Sequence, residues 1–545
     1  MTPLSKDTYR FLRYLSFKMD CLREQEANPL TIDVAKAQKH FDELETIINE
    51  KTEALAKVMP KRPIEKYRNK PKLMHTKDGN LSKLGESWYE LLKEQHLPST
   101  TEGVVTIVEG WEDGNPGSPS QVKEWLYSLG WKPCTYKFDR NKATGEEKKI
   151  EQVRYFSPSD PRKGELTDSV LKLKAVEQGV EILEGLTVAG HRKGIFKALL
   201  DNADLETCGS CGGTGDWHTD RGQTWEPCPR CKGKGHEGYG RVVARAGGFT
   251  NTLRLKHRSP IVNLPKVGSP WGEEIRGCII APPPKVRQGE CKRKCSGVNV
   301  PCTKECAIVD TYTVCGADVS SLESCTKRHY MWDYDPEYVT EMSKEGFDEH
   351  LDLAKHAGEV TQEQIDLYNQ GKAPELKVVR NVFKPANYAG VYGVRELTLS
   401  RQTGMGVQRC KELLDAYWER NWAVQKIAQS QYIKELPDGS KWLKNPVSGF
   451  YYSLRYEKDA FSTLNQGTGV FVFDSWVMHM RNNTYPPVVV SLQMHDEILS
   501  YTKIGNEDRQ TEALEKAMEK VNETLKLNVE ITSDIQYGES YAAVH

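Results

Sequence analysis

No run of about 18 apolar residues occurs in the 545-residue chain, so nothing in it is long enough to cross a bilayer as a helix. The start, MTPLSKDTYRFLRYLSF, lacks the basic end, apolar block and small-residue cleavage site of a secretion signal. Charge of either sign is not in excess: 75 Lys and Arg face 76 Asp and Glu, a net of −1. That excludes a polybasic protein, and any contact with nucleic acid must come from a local lining of cations. Internal repeats and low-complexity tracts are also missing. A cytoplasmic protein without a membrane partner is expected, large enough to need several subdomains.

Cysteine is present in number, 14 in all, and most of it falls between Cys208 and Cys325. In a reducing compartment such clustering points to metal ligation before disulfides. Cys208, Cys211, Cys228 and Cys231 form two CxxC pairs, each followed by Gly-x-Gly. Paired CxxC turns suit four thiolates around Zn²⁺, and the glycines permit tight turns. A second group, Cys291, Cys295, Cys302 and Cys306, has CxxxC spacing and is a candidate for a second zinc, with free thiols as the other reading.

Helical periodicity runs from Ile32 to Val58, and the chain from Pro60 to about Ser118 is polar and rich in Pro and Gly. A short helix is expected from Ser118, and two helical pieces from Ser169 to Leu200. Strand-like segments follow in GRVVARA and AIVDTYTVCGAD. The chain then reads as helical from Asp335 to about Ser430, and closes on a hairpin and the helix TEALEKAMEKVNETLKL. This order predicts an α+β protein with an antiparallel sheet and a helical insertion.

The hairpin VVVSLQMHDEILSY is unusual. Its turn holds His495, Asp496 and Glu497 where neutral turn formers belong. Asp318 ends an earlier apolar strand, and Glu323 opens the helix after it. Two Asp carboxylates presented by separate strands suit a pair of Mg²⁺ ions. Strand alternation makes Glu497 a weaker candidate to bridge them than Asp496. In RNVFKPANYAGVYG, Arg380, Lys384, Tyr388 and Tyr392 recur every four residues, which on a helix gives a ridge of two cations and two rings. Such a ridge can meet a triphosphate and a base, or be a charged face running into a packed one.

In this order the three segments resemble motifs A, B and C of family A (polymerase I-like) DNA polymerases, the phage replicative type in particular. Further segments are similar to the family: TNTLRLKHRSPIVNLP with Arg254, FDEH with His350, and STLNQGT with Gln466. The resemblance implies a right-hand fold. Its expected parts are a helical N-terminal region and thumb (1–202), a zinc-binding insertion (203–237), a first palm part (238–330, with the second Cys-rich insertion at 286–308), helical fingers (331–440) and a second palm part (441–545). It implies a DNA-templated DNA polymerase that extends a primer with deoxynucleoside triphosphates. Asp318, Val319 and Asp496 would hold two Mg²⁺ ions, with Glu497 a further catalytic acid. Glu323, His350, Arg380, Lys384, Tyr388 and Tyr392 would bind the nucleotide; Arg254, Gln466, Gln493 and His495 would bind DNA.

Several residues depart from the family pattern. Pro385 falls inside the motif B helix, where it should kink the helix unless it lies in the first turns. Ser324 and Cys325 stand where Leu-Arg is usual, and Lys458 where Arg is usual, which weakens two expected contacts. The chain before LSFKMDC is too short for a proofreading exonuclease domain, so a polymerase-only chain is expected, with proofreading either lacking or supplied by a separate exonuclease subunit, and a processivity factor as a further candidate partner. Host-cell cytoplasm is the place implied. Other readings are a single-subunit RNA polymerase, which the sugar-gate position of Glu323 opposes, and a non-catalytic zinc-bearing DNA-binding subunit.

Overall fold

The computed structural model describes residues 5–140, 144–156, 162–219, 224–288, 307–483 and 488–544. It divides into two compact units. One comprises Met1–Glu45, Ser157–Lys163 and Gly190–His545; the other comprises Thr46–Phe156 and Gly164–Ala189. Among the described residues no helix is long and apolar enough to cross a membrane.

The larger unit is built on a four-stranded antiparallel sheet. Val490–Met494 lies at one edge, followed by Glu497–Lys503, Tyr312–Val319 and Ser533–Gly538. Tyr312–Val319 is β-branched and apolar with four consecutive buried positions, as expected of a strand covered on both faces. The helices Ala460–Asn483 and Glu507–Leu525 pack into the same core through Val472, Trp476, Leu514 and Val521. The buried Trp476 indole N–H is not wasted, because it donates to the Leu514 carbonyl at 3.0 Å.

The first helix, Lys6–Ala27, joins this core through an ionic contact. Lys18 Nζ lies 2.5 Å from Asp474 Oδ2, both side chains about 4% exposed or less, and the Tyr14 hydroxyl donates to the same carboxylate oxygen. Removing one member would strand a buried charge at a cost of about 3–5 kcal/mol. A second four-stranded sheet runs in the order Ile279–Ile280, Leu30–Asp33, His236–Val242, Asp204–Thr207. The helical segment is present from Pro336 to Ser430, and it has its own core around Leu351, Phe383, Leu413 and Tyr417.

Three expectations need correction. The polar stretch 60–118 is not a plain loop: it forms the strands Arg62–Asn69 and Val104–Glu112, paired as a hairpin, and the helix Lys83–Glu94. This belongs to the smaller unit, where Trp88, Leu92 and Val105 make a small core of their own. The first helical piece after Ser169 is mostly tight 3₁₀ turns, Lys172–Ala175 and Gln178–Leu183, before the helix Leu186–Asp201. After Ser430 the chain forms a three-stranded sheet, Ile433–Glu435, Lys441–Lys444 and Tyr451–Leu454. Pro385 sits well past the first turn of the helix Leu376–Val391, which continues through it.

Candidate active site and cysteine centre

The hairpin turn is made by only two residues, His495 and Asp496, between the paired Met494 and Glu497. His495 has φ +63°, a left-handed value that costs a side-chain-bearing residue about 1–2 kcal/mol. Glycine would be cheaper there, so the strain marks the position as chosen for its side chain. The turn is pinned to the neighbouring strand by the Val319 N–H, which donates to the Asp496 carbonyl oxygen at 3.1 Å. Asp318 is exposed at the end of that strand and stands directly opposite Glu497 on one side and Asp534 on the other. The two aspartates therefore sit at the same end of adjacent strands.

Glu497 has a different environment. It is buried and accepts a hydrogen bond of 2.9 Å from the Tyr541 hydroxyl, while the Arg276 guanidinium lies 4.4 Å above the Tyr541 ring. Asp318 and Asp496 offer hard carboxylate oxygens at an accessible sheet end, beside the Val319 backbone, and that donor set suits Mg²⁺.

Around this point the structure gathers the other residues. Glu323 lies in the first turn of Leu322–Met331. Burial, then Asp496 and Glu349, hold its carboxyl above the ordinary range, against the pull of Arg254. Arg254, Glu323, Gln466 and His495 line one small cleft, and Arg254, Gln493 and His495 line another with Lys18 and Asp474. The Gln466 amide donates to the Tyr392 hydroxyl at 3.3 Å. Gln493 is buried, and its backbone N–H donates to Gln25 Oε1 at 2.8 Å.

The ridge residues lie on the helix Leu376–Val391, with Tyr392 at its C-cap. Arg380 Nε donates to Asp348 Oδ2 at 2.5 Å. Burial, then Arg380 and Lys266, lower the Lys384 ammonium. His350 is buried and held below the usual imidazole range. Its Nδ1 faces the Asn387 amide nitrogen at 3.1 Å, which leaves the imidazole proton on Nε2. Tyr388 is 47% exposed, and its ring centre lies 5.8 Å from that of His350. Burial, then Glu349 and Glu323, raise the Tyr388 hydroxyl, and burial, then Glu323, raises that of Tyr392, so the ridge and the Glu323 helix share one electrostatic neighbourhood.

Some residues here escaped the sequence reading. Asp348 caps the helix Glu349–His356 by accepting from the His350 and Leu351 N–H groups, and its place in FDEH was a visible capping signal. Asn387 and Tyr541 carried no signal of their own. His257, with both ring nitrogens buried and unpartnered, stands 6.0 Å ring to ring from His495.

The cysteine centre lies between the strands Asp204–Thr207 and His236–Val242. Ligand atoms of Cys208, Cys211, Cys228 and Cys231 all lie within 4.8 Å of one another. Sγ–Sγ separations are 3.9 Å for Cys208 and Cys228 and 3.7 Å for Cys211 and Cys231. A tetrahedron with zinc–sulfur bonds of about 2.3 Å has edges near 3.8 Å. The Gly215 and Gly235 N–H groups donate to the Cys211 and Cys231 sulfurs at 3.3 and 3.2 Å. Both glycines have positive φ, and a Cβ on either would fall within 2.5 Å of a carbonyl of the other turn, so only glycine lets the turns clasp.

Against the desolvation that opposes it, the Gly215 and Gly213 amides draw the Cys211 thiol down to about 6. Burial and the neighbouring sulfurs push Cys231 up to about 11. A cation among the four sulfurs would relieve that repulsion. Cys291, Cys295, Cys302 and Cys306 lie outside the described residues.

Residues 307–543 match the family model described as DNA polymerase family A. Among solved structures, the chain is similar to the POL domain of Pol1 from M. smegmatis in complex with DNA primer-template and dNTP. The identity is 16% and the TM-score 0.58, over 97% of this chain and 70% of that one. At that identity the likeness is one of fold. No curated protein matches the chain. Residues 307–543, less than half of the chain, thus match a family A DNA polymerase domain, and the enzyme class this match supports is that of a DNA-directed DNA polymerase, a nucleotidyltransferase.

Proposed function

We propose that this chain extends the 3′ end of a primer on a DNA template with deoxynucleoside triphosphates, at the sheet end formed by Asp318 and Asp496. The observation that carries the reading is the bond from the Val319 N–H to the Asp496 carbonyl, which fixes the two acid-bearing elements together. Asp318, Asp496 and the Val319 carbonyl would hold two Mg²⁺ ions. When bound, the ions lower the pKa of the attacking hydroxyl and balance charge on the leaving oxygen. The primer 3′ oxygen forms a bond to the α-phosphorus, the bond to pyrophosphate breaks, and the hydroxyl proton departs.

Arg380, Lys384 and the His350 Nε2–H grip the phosphates, charge-assisted contacts worth about 1.5–3 kcal/mol each. Arg380 must exchange its Asp348 partner for phosphate to do so. Tyr388, exposed at the ridge, stacks on the incoming base, and Glu323 with Tyr392 closes the space where a 2′ hydroxyl would lie. Arg254, Gln466 and His495 face the primer-template. Glu497, held by Tyr541, braces the hairpin. In this reading the larger unit supplies palm and fingers, and the setting of a phage replicase rests on the motif resemblance alone.

The cysteine centre takes one Zn²⁺ as a structural ion, supported by the sulfur separations and closed ligand set. Primer extension with deoxy- and ribonucleotides, by the parent and by Asp496→Ala, tests the function. Extension with deoxynucleotides that is lost in the variant supports it. A preference for ribonucleotides would favour an RNA polymerase instead, and no extension by the parent would favour a non-catalytic subunit.

A further inference from the structure

The three-stranded sheet after Ser430 has two unlike faces. Ile433, Leu443 and Tyr452 form one cross-strand row, and Leu443 and Tyr452 are fully buried. Alternation turns the row Lys434, Trp442, Ser453 to the other face, together with the paired Lys444 and Tyr451. Tyr432 extends that second row, since its carbonyl accepts from the Lys444 N–H at 3.1 Å. The outer face thus reads aromatic, cation, aromatic in one row, and cation, aromatic, serine in the next.

The tyrosines and lysines of this face are open to solvent, and Trp442 is half-buried, its indole N–H donating to Ser440 Oγ at 3.1 Å. Tyr432 is 60% and Tyr451 39% exposed, Lys434 and Lys444 are exposed, and Lys444 Nζ lies 5.9 Å from the Tyr451 ring centre. The nearby acids are engaged elsewhere: Glu435 and Glu457 both pair with Lys441, which belongs to the opposite set of rows. The face also borders the proposed site. Asn251, in the turn that leads to Arg254, donates to the Ser453 carbonyl at 3.2 Å, and the sheet's last strand runs into the helix that carries Gln466.

We propose that this outer face is a platform for the unpaired template strand, with bases stacked on Tyr432, Trp442 and Tyr451 and phosphates met by Lys434 and Lys444. Tyr432 and Tyr451 flank the Lys444 strand two strand spacings, about 9–10 Å, apart, with Trp442 diagonal to both, an array that can meet splayed, unpaired bases, whose faces a duplex hides within its stack. Interleaved cations match a phosphate backbone. The identity of the strand as template rests on the polymerase reading; the chemistry of single-stranded DNA does not.

The test is equilibrium binding by fluorescence anisotropy, without nucleotide, of one primer duplex carrying either a template overhang of about twelve nucleotides or a single unpaired base. Tyr432→Ala with Tyr451→Ala is expected to weaken binding of the long-overhang DNA about tenfold or more, at roughly 1–3 kcal/mol per stacked base. The short-overhang DNA should change less than about twofold, and the double Tyr→Phe variant should restore binding. Lys434→Ala with Lys444→Ala should flatten the salt dependence on the long overhang by roughly 1–1.5 in log–log slope. Equal losses on both DNAs, as a duplex-binding face would give, or no loss on either, would overturn the proposal. If the parent fails to extend a primer yet the selective loss is seen, the polymerase reading falls and the single-strand platform stands.

Discussion

Cys208, Cys211, Cys228 and Cys231 meet within one short insertion, whereas Asp318 and Asp496 come from strands far apart in the chain. The first cluster brings its own geometry, because glycine turns and N–H donors to sulfur fix four soft ligands locally. The second has none of its own. Its two acids converge only because a four-stranded sheet holds their strands in register, and its hard oxygens stay partly open to solvent. A closed set of four thiolates suits a structural ion, and an open pair of carboxylates suits an ion that must also meet substrate.

That contrast predicts that each centre can be broken without the other. Asp496→Ala should lower primer extension by at least about 10³-fold, the equivalent of roughly 4 kcal/mol of transition-state stabilisation. Zinc content, measured by atomic absorption, should not change; a loss of zinc would mean that the two centres fold as one. Lys384→Ala should lower kcat/KM for deoxynucleotides by about 10- to 100-fold, the worth of one charge-assisted contact, with little change in primer-template affinity. An unchanged kcat/KM would remove the ridge from the nucleotide site. Cys228→Ser should release about one zinc per chain and expose the insertion to protease, while extension falls no more than a few-fold.

The hairpin at His495 was legible because acids stood where turn chemistry asks for neutral residues, and the cysteine centre because its spacing is itself a geometry. The three-stranded sheet was not. Its strands are only three or four residues long, and KWLK or IKE offers too little alternation to tell from loop. The hairpin Arg62–Asn69 with Val104–Glu112 was hidden because no position of the first strand is buried, Ile64 to Asn69 all being exposed, and only Val105 is deeply buried on the second. Glu497 shows the limit of alternation near a turn. Only the structure reveals that Tyr541 engages its carboxylate, since that contact comes from the other end of the last sheet segment.

The smallest expected effect concerns acid stability. Burial, with His495 and Arg254 adding, depresses the His257 imidazole to about 4 in the folded chain, whereas the unfolded chain takes up that proton near pH 6.5. Between those values falling pH favours the unfolded state, so stability from His257 is complete above about 6.5 and is lost progressively toward 4. Urea unfolding at pH 7 and pH 5 should show the loss, and His257→Gln should reduce the difference. A difference of the same size in the variant would place the effect on other histidines.

The central claim, that Asp318 and Asp496 hold divalent cations jointly, is tested most directly by counting Mn²⁺ with electron paramagnetic resonance on the zinc-loaded protein with primer-template and a non-hydrolysable deoxynucleotide. Two ions in the parent, and at least one lost in each of Asp318→Asn and Asp496→Asn, is the predicted result. Full occupancy in either variant would contradict it.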